Sequence, residues 1–161
     1  MKKQIILPLI AAILVAAAVA VLILTPKGGA DTNIGTADIS GDSITIAADD
    51  LSADKVSFIK VPGSKIELIA RKDEKGQARV ALGTCQSCNG SPYAYYVQEG
   101  DELMCNNCGL TFPLDVIDES GSGCHPIMID DAIITREGND VTLDIDKLAV
   151  YEELFEDVAE H

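Results

Sequence analysis

The chain contains no tryptophan and few aromatic residues of any kind. Aromatic side chains make up 4% of its 161 residues, so the hydrophobic core must consist mainly of aliphatic side chains. This length predicts one domain with an appendage. Histidine is also scarce, with only His125 and His161 present. No Ser–His–Asp arrangement is therefore indicated, and no glycine-rich loop of the phosphate-binding type is present.

Basic residues are outnumbered by acidic ones, 12 against 26, which gives a formal net charge of −14. A surface this acidic repels nucleic-acid phosphates, so nucleic-acid binding is disfavoured. It attracts cations and basic proteins instead. Three acidic pairs, Asp49-Asp50, Asp118-Glu119 and Asp130-Asp131, are predicted to lie in solvated loops.

Residues 5–24 form the only long hydrophobic run, with no charge and one interruption at Pro8. This length matches a helix that crosses about 30 Å of hydrocarbon. Lys2 and Lys3 precede the run and every acidic residue follows it. The positive-inside rule then places residues 1–4 in the cytoplasm and the acidic region outside, which predicts a single-pass protein of the cytoplasmic membrane.

A cleaved signal peptide is the alternative for this run. Signal h-regions are usually about 7–15 residues long, and the possible cleavage motif at 18–20 is followed by four more apolar residues. We therefore expect an uncleaved signal-anchor. No cysteine lies near its end, which excludes lipoprotein processing.

A tether of residues 25–35 is predicted to lead into a folded domain of residues 36–161. Alternating polar and apolar residues, with glycine-containing turns between them, predict a mainly β, small antiparallel domain. Arg79 and Val80 point to opposite faces of one predicted strand, so we expect one face to pack on the core. The predicted strands are residues 43–47, 56–61, 65–71, 77–82, 93–97, 102–104, 127–135 and 140–145.

The domain is predicted to end in a helix over residues 147–158, which makes the class α+β. Asp144 or Asp146 is available as its N-cap. Five apolar residues recur at helical spacing and are expected to face the core: Leu148, Tyr151, Leu154, Phe155 and Val158.

All five cysteines lie between residues 85 and 124. Two C-x-x-C pairs, Cys85 with Cys88 and Cys105 with Cys108, are separated by sixteen residues. This spacing is typical of a four-thiolate metal site. An odd cysteine count also fits a metal site better than a disulfide framework, which would leave one thiol unpaired.

The residues after each pair support tight turns around a metal. Gly109 permits a turn in which backbone N–H groups point at sulfur. Asn89 is expected to take the equivalent place after Cys88, because asparagine adopts positive φ more readily than most residues. Cys124 and His125 are additional candidate ligands. The alternative for these two is a loop cysteine beside a solvated histidine.

The spacing does not identify the metal. Thiolates suit zinc, copper(I) and iron–sulfur chemistry alike. Zinc would make a closed structural site, and iron would make an electron carrier. Thiol–disulfide exchange by either pair is a further alternative, although no βαβ context surrounds them. Covalent c-type haem is excluded because neither pair continues as C-x-x-C-H. Tyr93, Tyr95 and Tyr96 between the pairs are expected to pack a hairpin and shield the site.

Three segments resemble the family of membrane iron–sulfur containing FtrD-like proteins. They are TCQSCNGSPY at 84–93, EGDELMCNNCGLTF at 99–112 and GCHPI at 123–127. The resemblance covers about residues 40–155. It implies an iron–sulfur centre outside the cytoplasmic membrane, associated with ferrous-iron uptake. It assigns ligand roles to Cys85, Cys88, Cys105, Cys108 and Cys124.

Two departures limit what this resemblance implies. The family usually has asparagine where this chain has His125, so a ligand role for that histidine gains no support from it. Larger members carry many membrane helices, and this chain has one apolar run, so a permease role does not carry over. The expected function is a tethered metal or electron-transfer module whose partners are the membrane and a metal permease or redox protein.

Overall fold

The structure is a computed structural model that describes residues 37–119, 121 and 123–161. The predicted membrane span at 5–24 and tether at 25–35 lie outside these residues. Among the residues that are described, no helix combines the length and apolar character needed to cross a bilayer.

Mainly antiparallel β-structure is confirmed, with a short helix near the end of the chain. In the described part, the strands form three antiparallel sheets ordered β1-β2-β11-β10, β3-β4-β5-β9 and β6-β7-β8. The strands are β1 (Asp38–Ser40), β2 (Ser43–Ile46), β3 (Ser57–Lys60), β4 (Glu67–Lys72), β5 (Ala78–Cys85), β6 (Tyr96–Glu99), β7 (Glu102–Cys105), β8 (Thr111–Pro113), β9 (Pro126–Ile127), β10 (Ile134–Glu137) and β11 (Asp140–Asp144).

The first sheet follows its alternating sequence pattern. Strands β2 and β11 pair so that Ile44 lies opposite Leu143, and both side chains are fully buried. The β10–β11 hairpin turns at Gly138, whose φ of 64° suits glycine. The short strand β1 escaped prediction because three residues give too little alternation to recognise.

The expectation that only one face of β4 and β5 packs on the core was wrong. Leu68 and Leu82 pair across the two strands and face one hydrophobic cluster, whereas Ile69 and Ala81 pair beside them and face another. All four side chains are fully buried. Their run of consecutive apolar residues is the pattern of a strand covered on both sides. The second sheet is therefore the central layer of the domain.

The two hydrophobic clusters differ in composition. The larger core lies between the first and second sheets and the final helix, and it is aliphatic except for Phe155 and the partly buried Tyr151. The smaller core lies between the other face of the second sheet and the third sheet, and it contains Cys85 and Cys105. These two cysteine side chains are therefore part of the smaller core.

The final helix is shorter and tighter than predicted. An α-helical turn, α1 (Ile145–Leu148), continues as a 3₁₀ helix (Ala149–Phe155). Asp144 is the N-cap and accepts a hydrogen bond from the Lys147 N–H at 3.2 Å. Leu148 and Phe155 are buried in the larger core, and the other three predicted apolar positions pack against it. The predicted core-facing stripe is confirmed.

Two further expectations were wrong. Residues 127–135 do not form one strand, because Asp130 interrupts them: its side chain accepts from the Ala132 N–H at 2.8 Å and its carbonyl from Ile133 at 2.9 Å. Such a local side-chain bond competes with strand pairing. Asp118 is not in a freely solvated loop, since it is partly buried and lies 3.4 Å from the Arg79 guanidinium.

We predict that Phe155→Ala lowers the free energy of unfolding by about 3–5 kcal/mol, because it leaves a cavity in the larger core. Val150→Ala is the matched control, since Val150 lies on the same 3₁₀ helix and is 72% exposed. It should change stability by less than about 0.5 kcal/mol. Urea denaturation of the full chain measures both. Equal effects of the two variants would contradict the assigned packing of this helix.

Candidate metal centre

The cysteines lie where two strands end. Cys85 is the last residue of β5 and Cys105 the last of β7, and both are fully buried. Cys88 and Cys108 lie in the turns that follow, the former half-buried and the latter exposed. Cys124 precedes β9 and is half-buried.

Residues 94–96 hold the two strand ends together. The Cys85 N–H donates to the Ala94 carbonyl at 2.9 Å, and Thr84 forms a bridge with Tyr95. On the other side, the Asn106 N–H donates to the Tyr95 carbonyl at 2.9 Å. One short segment therefore joins both C-x-x-C turns through backbone hydrogen bonds.

The second turn has the geometry that the sequence predicts. Gly109 adopts a φ of 72°, and its N–H donates to the Cys105 carbonyl at 2.8 Å. The Cys105 N–H donates to the Leu110 carbonyl at 2.9 Å. The Asn107 and Cys108 N–H groups donate to the Cys105 sulfur. Such donors stabilise thiolate charge.

The first turn departs from expectation at Asn89. Among the described residues, only glycines adopt positive φ, and here Gly90 does so with a φ of 91°. The Ser91 N–H closes the turn on the Cys88 carbonyl at 3.1 Å. Glycine takes this conformation without the steric cost that asparagine would bear, which explains the difference. The Cys88 N–H donates to the Cys85 sulfur.

The loop that carries Cys124 is fixed onto the first turn. The Tyr96 hydroxyl donates to the Cys124 carbonyl at 2.7 Å. The Ser87 hydroxyl donates to Gly123 at 2.6 Å, and the Gln86 N–H to His125 at 3.0 Å. These bonds place the Cys124 sulfur over the two turns.

Four of the five sulfurs form a compact group: Cys85, Cys88, Cys105 and Cys124 lie within 4.8 Å of one another. The Cys88 and Cys124 sulfurs are 3.8 Å apart. In a tetrahedral site with metal–sulfur bonds of about 2.3 Å, neighbouring sulfurs lie about 3.8 Å apart. Cys108 is outside this group, although its sulfur is 3.1 Å from that of Cys124.

A family model of membrane iron–sulfur containing FtrD-like proteins matches residues 51–155. The chain belongs to this FtrD-like family. The match begins somewhat later than the resemblance predicts and covers the second and third sheets, every cysteine and α1. No curated protein and no solved structure shows significant similarity to the chain.

The donor set fits the iron–sulfur chemistry that the FtrD-like family name implies. Thiolate is the ligand that iron–sulfur centres take, and N–H groups directed at the sulfurs are the contacts that tune them. The same donors also suit zinc and copper(I). The cluster can therefore bind a soft metal. The short distances between the sulfurs suit a single metal ion better than a multinuclear iron–sulfur cluster, in which different cysteines bind different iron atoms.

Hydrogen bonding separates the pKa values of the two strand-end thiols, which are both buried. Burial raises the pKa of Cys105 to about 12. Burial also raises the pKa of Cys85, but hydrogen bonds from the Cys88 N–H and the neighbouring groups outweigh it, so its pKa lies below the ordinary value. Tyr96 has a pKa raised by burial and by the adjacent Cys85 charge, so its hydroxyl remains a donor.

The pKa values of Cys108 and Cys124 also differ. The Leu110 N–H and the Cys124 thiol donate to the Cys108 sulfur and lower the pKa of Cys108 to about 7. The same contact with Cys108, together with burial, raises the pKa of Cys124. In the metal-free cluster one proton is therefore shared between adjacent sulfurs, as expected for strongly interacting groups.

The structure does not bring the His125 ring into the four-sulfur group. The ring stacks on Phe112 with centroids 5.2 Å apart. It also packs so closely on Gly121 that a Cβ there would lie 2.6 Å from ring atoms. Its Nδ1 atom is buried without a hydrogen-bond partner. These contacts indicate that the ring orients the Cys124 loop.

The final residues pack against the first turn. Asn89 Nδ2 donates to the Leu154 carbonyl at 2.7 Å. The His161 ring stacks on Tyr95 with centroids 3.8 Å apart, and its Nε2 lies 3.3 Å from a carboxylate oxygen of Glu67. Burial raises the pKa of Glu67. This last segment thus supports the backbone on which Cys88 depends.

Sequence reasoning missed several residues that shape the site. The sequence does not distinguish Tyr96 from Tyr93 and Tyr95, but only Tyr96 is buried against the cysteines, and Tyr93 is exposed. Strand alternation separates Tyr95 from Tyr96 but does not say which one faces inward. Ser87 gives no signal in the sequence, because its role arises from a hydrogen bond to Gly123, 36 residues away.

We predict that the metal-free, reduced chain forms its first thiolate as the pH rises through about 7, at Cys108. The ordinary pKa of a cysteine thiol is 9.0, so the lowered pKa of Cys108 means that its thiolate stabilises the folded state. This stabilisation is fully present above pH 9.0 and is lost as the pH falls through about 7. A pH titration of ultraviolet thiolate absorbance measures it. Cys108→Ser should remove this step, and a wild-type chain without any ionisation below pH 9.0 would contradict the assignment.

We predict that His125→Asn leaves the metal content unchanged and lowers the free energy of unfolding by about 1 kcal/mol, because one aromatic stack is lost. His161→Asn is the matched control, since it removes a similar stack away from Cys124. Elemental analysis and urea denaturation measure the two quantities. Loss of metal from His125→Asn alone would show that the imidazole is a ligand.

Proposed function

We propose that this chain is a membrane-anchored, extracytoplasmic electron-transfer protein that holds a cysteine-ligated iron or iron–sulfur centre and serves metal uptake. The observation that carries this proposal is the convergence of sulfurs from both C-x-x-C turns and from Cys124. Membership of the FtrD-like family supports iron as the metal.

The surroundings of the sulfurs suit a redox centre. When bound, iron would supply a one-electron exchange between its ferric and ferrous states. The N–H groups directed at Cys85 and Cys105 stabilise thiolate charge and would help to set the reduction potential. Leu110, which follows Cys108 by two residues, is 57% exposed. The cluster thus borders a surface that a redox partner can approach.

The anchor and location rest on the sequence. The uncharged run at 5–24, preceded by Lys2 and Lys3, supports a single span with the acidic domain outside. The family description also names a membrane protein. A net charge of −14 favours a partner with a basic docking surface, such as a redox protein or a metal permease.

A zinc- or copper(I)-binding module is the second candidate. It is favoured by the 3.8 Å separation of the Cys88 and Cys124 sulfurs, which suits one closed four-thiolate ion. Thiol–disulfide exchange has weaker support. The Cys108 and Cys124 sulfurs, which lie 3.1 Å apart, do not belong to one C-x-x-C pair.

We predict that the full chain, purified anaerobically in detergent, is coloured and contains iron. Visible absorption and electron paramagnetic resonance, before and after dithionite reduction, should show a reversible change. A matched Cys105→Ser variant should lose the colour, because it removes a buried ligand. Colourless protein loaded with zinc would contradict electron transfer and support the second candidate. Metal-free protein with a reversible disulfide would support thiol exchange.

A further inference from the structure

The five cysteines do not contribute equally to the site. The sequence pattern pairs Cys85 with Cys88 and Cys105 with Cys108, which suggests that these four close the site. The folded chain groups Cys124 with the first three and leaves Cys108 outside. We propose that Cys85, Cys88, Cys105 and Cys124 hold the metal and that Cys108 is an exchange thiolate through which soft metal ions pass between the site and external thiolate ligands.

This inference rests on the proposed function only in requiring a thiolate-bound metal. It does not depend on iron being that metal. The experiment below uses Co(II) added to the metal-free chain, so its result does not depend on which metal the native protein contains.

Burial supports the division. Cys85 and Cys105 are fully buried, and Cys88 and Cys124 are half-buried. Cys108 is exposed. A site formed by the first four sulfurs has two ligands that solvent does not reach. Cys108 is accessible to ligands in solution.

The hydrogen bonds around Cys124 also favour a ligand role for its sulfur. The Cys124 segment is fixed by hydrogen bonds from the Tyr96 hydroxyl, the Ser87 hydroxyl and the Gln86 N–H. A sulfur held in this way is already positioned for a metal. The turn at Cys108 is also closed, by the Gly109 N–H on the Cys105 carbonyl, but Cys108 and the nearby Leu110 are exposed.

The exchange role follows from one distance. The Cys108 sulfur lies 3.1 Å from that of Cys124, the ligand it would replace. In the exchange step, a metal–sulfur bond forms to the Cys108 thiolate as the bond to the Cys124 thiolate breaks. The proton that these two sulfurs share moves from Cys108 to Cys124 in the same step, and no electron is transferred. The metal then lies at the exposed rim, where external thiolates can take it.

The test uses Co(II) added to the metal-free, reduced full chain in detergent, for the wild type and for Cys108→Ser and Cys124→Ser. We expect Cys108→Ser to retain one Co(II) with a four-thiolate spectrum and Cys124→Ser to lose tight binding. We expect release of Co(II) to an excess of a dithiol chelator to slow by about tenfold in Cys108→Ser, because the neighbouring thiolate no longer assists. Cys88→Ser is the control for loss of a ligand.

A labelling experiment keeps the proposal falsifiable if a variant misfolds. Cobalt-loaded wild type treated with N-ethylmaleimide should be modified at Cys108 alone, as read by peptide mass spectrometry. Protection of Cys108 with modification of Cys124 would overturn the proposal. So would loss of Co(II) from Cys108→Ser, retention by both variants, or an unchanged release rate in Cys108→Ser.

Discussion

The metal centre depends on one structural constraint: the ends of β5 and β7 must meet. The backbone bonds that Ala94 and Tyr95 make to both C-x-x-C turns impose it. Cys85 and Cys105 end strands of two different sheets, and these bonds join the two strand ends. The third sheet packs on the central one through the smaller core, so apolar burial supports the same arrangement. The site is therefore a product of sheet packing as much as of the cysteine turns.

This arrangement places several ionisable sulfurs close together, partly out of water. Burial opposes ionisation, and the hydrogen bonds of the Cys105 thiol to Cys108 and Cys85 add to it, which is why the pKa of Cys105 rises to about 12. Backbone N–H groups offset part of this cost, as they do at Cys85. A bound cation would offset the rest, so metal binding and folding of this region are expected to be coupled. The acidic character of the whole chain adds to the attraction for cations.

The sequence predicts the features that are local. Alternation located the longer strands, and Gly109 was correctly placed in a turn of positive φ. Prediction was wrong where the outcome depends on contacts far along the chain or on competition between neighbours. Gly90 takes the conformation expected of Asn89, and Asp130 interrupts the strand expected at 127–135. Cys124 is a candidate ligand from the sequence, but that it joins the group from which Cys108 is left out depends on a loop closure that spacing does not encode.

The central claim is that sulfurs from both turns and from the Cys124 loop bind one common centre. X-ray absorption at the metal edge of the anaerobically purified full chain tests it most directly. The account predicts a first shell made only of sulfur at about 2.3 Å from the metal. A first shell that contains nitrogen or oxygen, or a chain whose cysteines are paired in disulfides without metal, would contradict it.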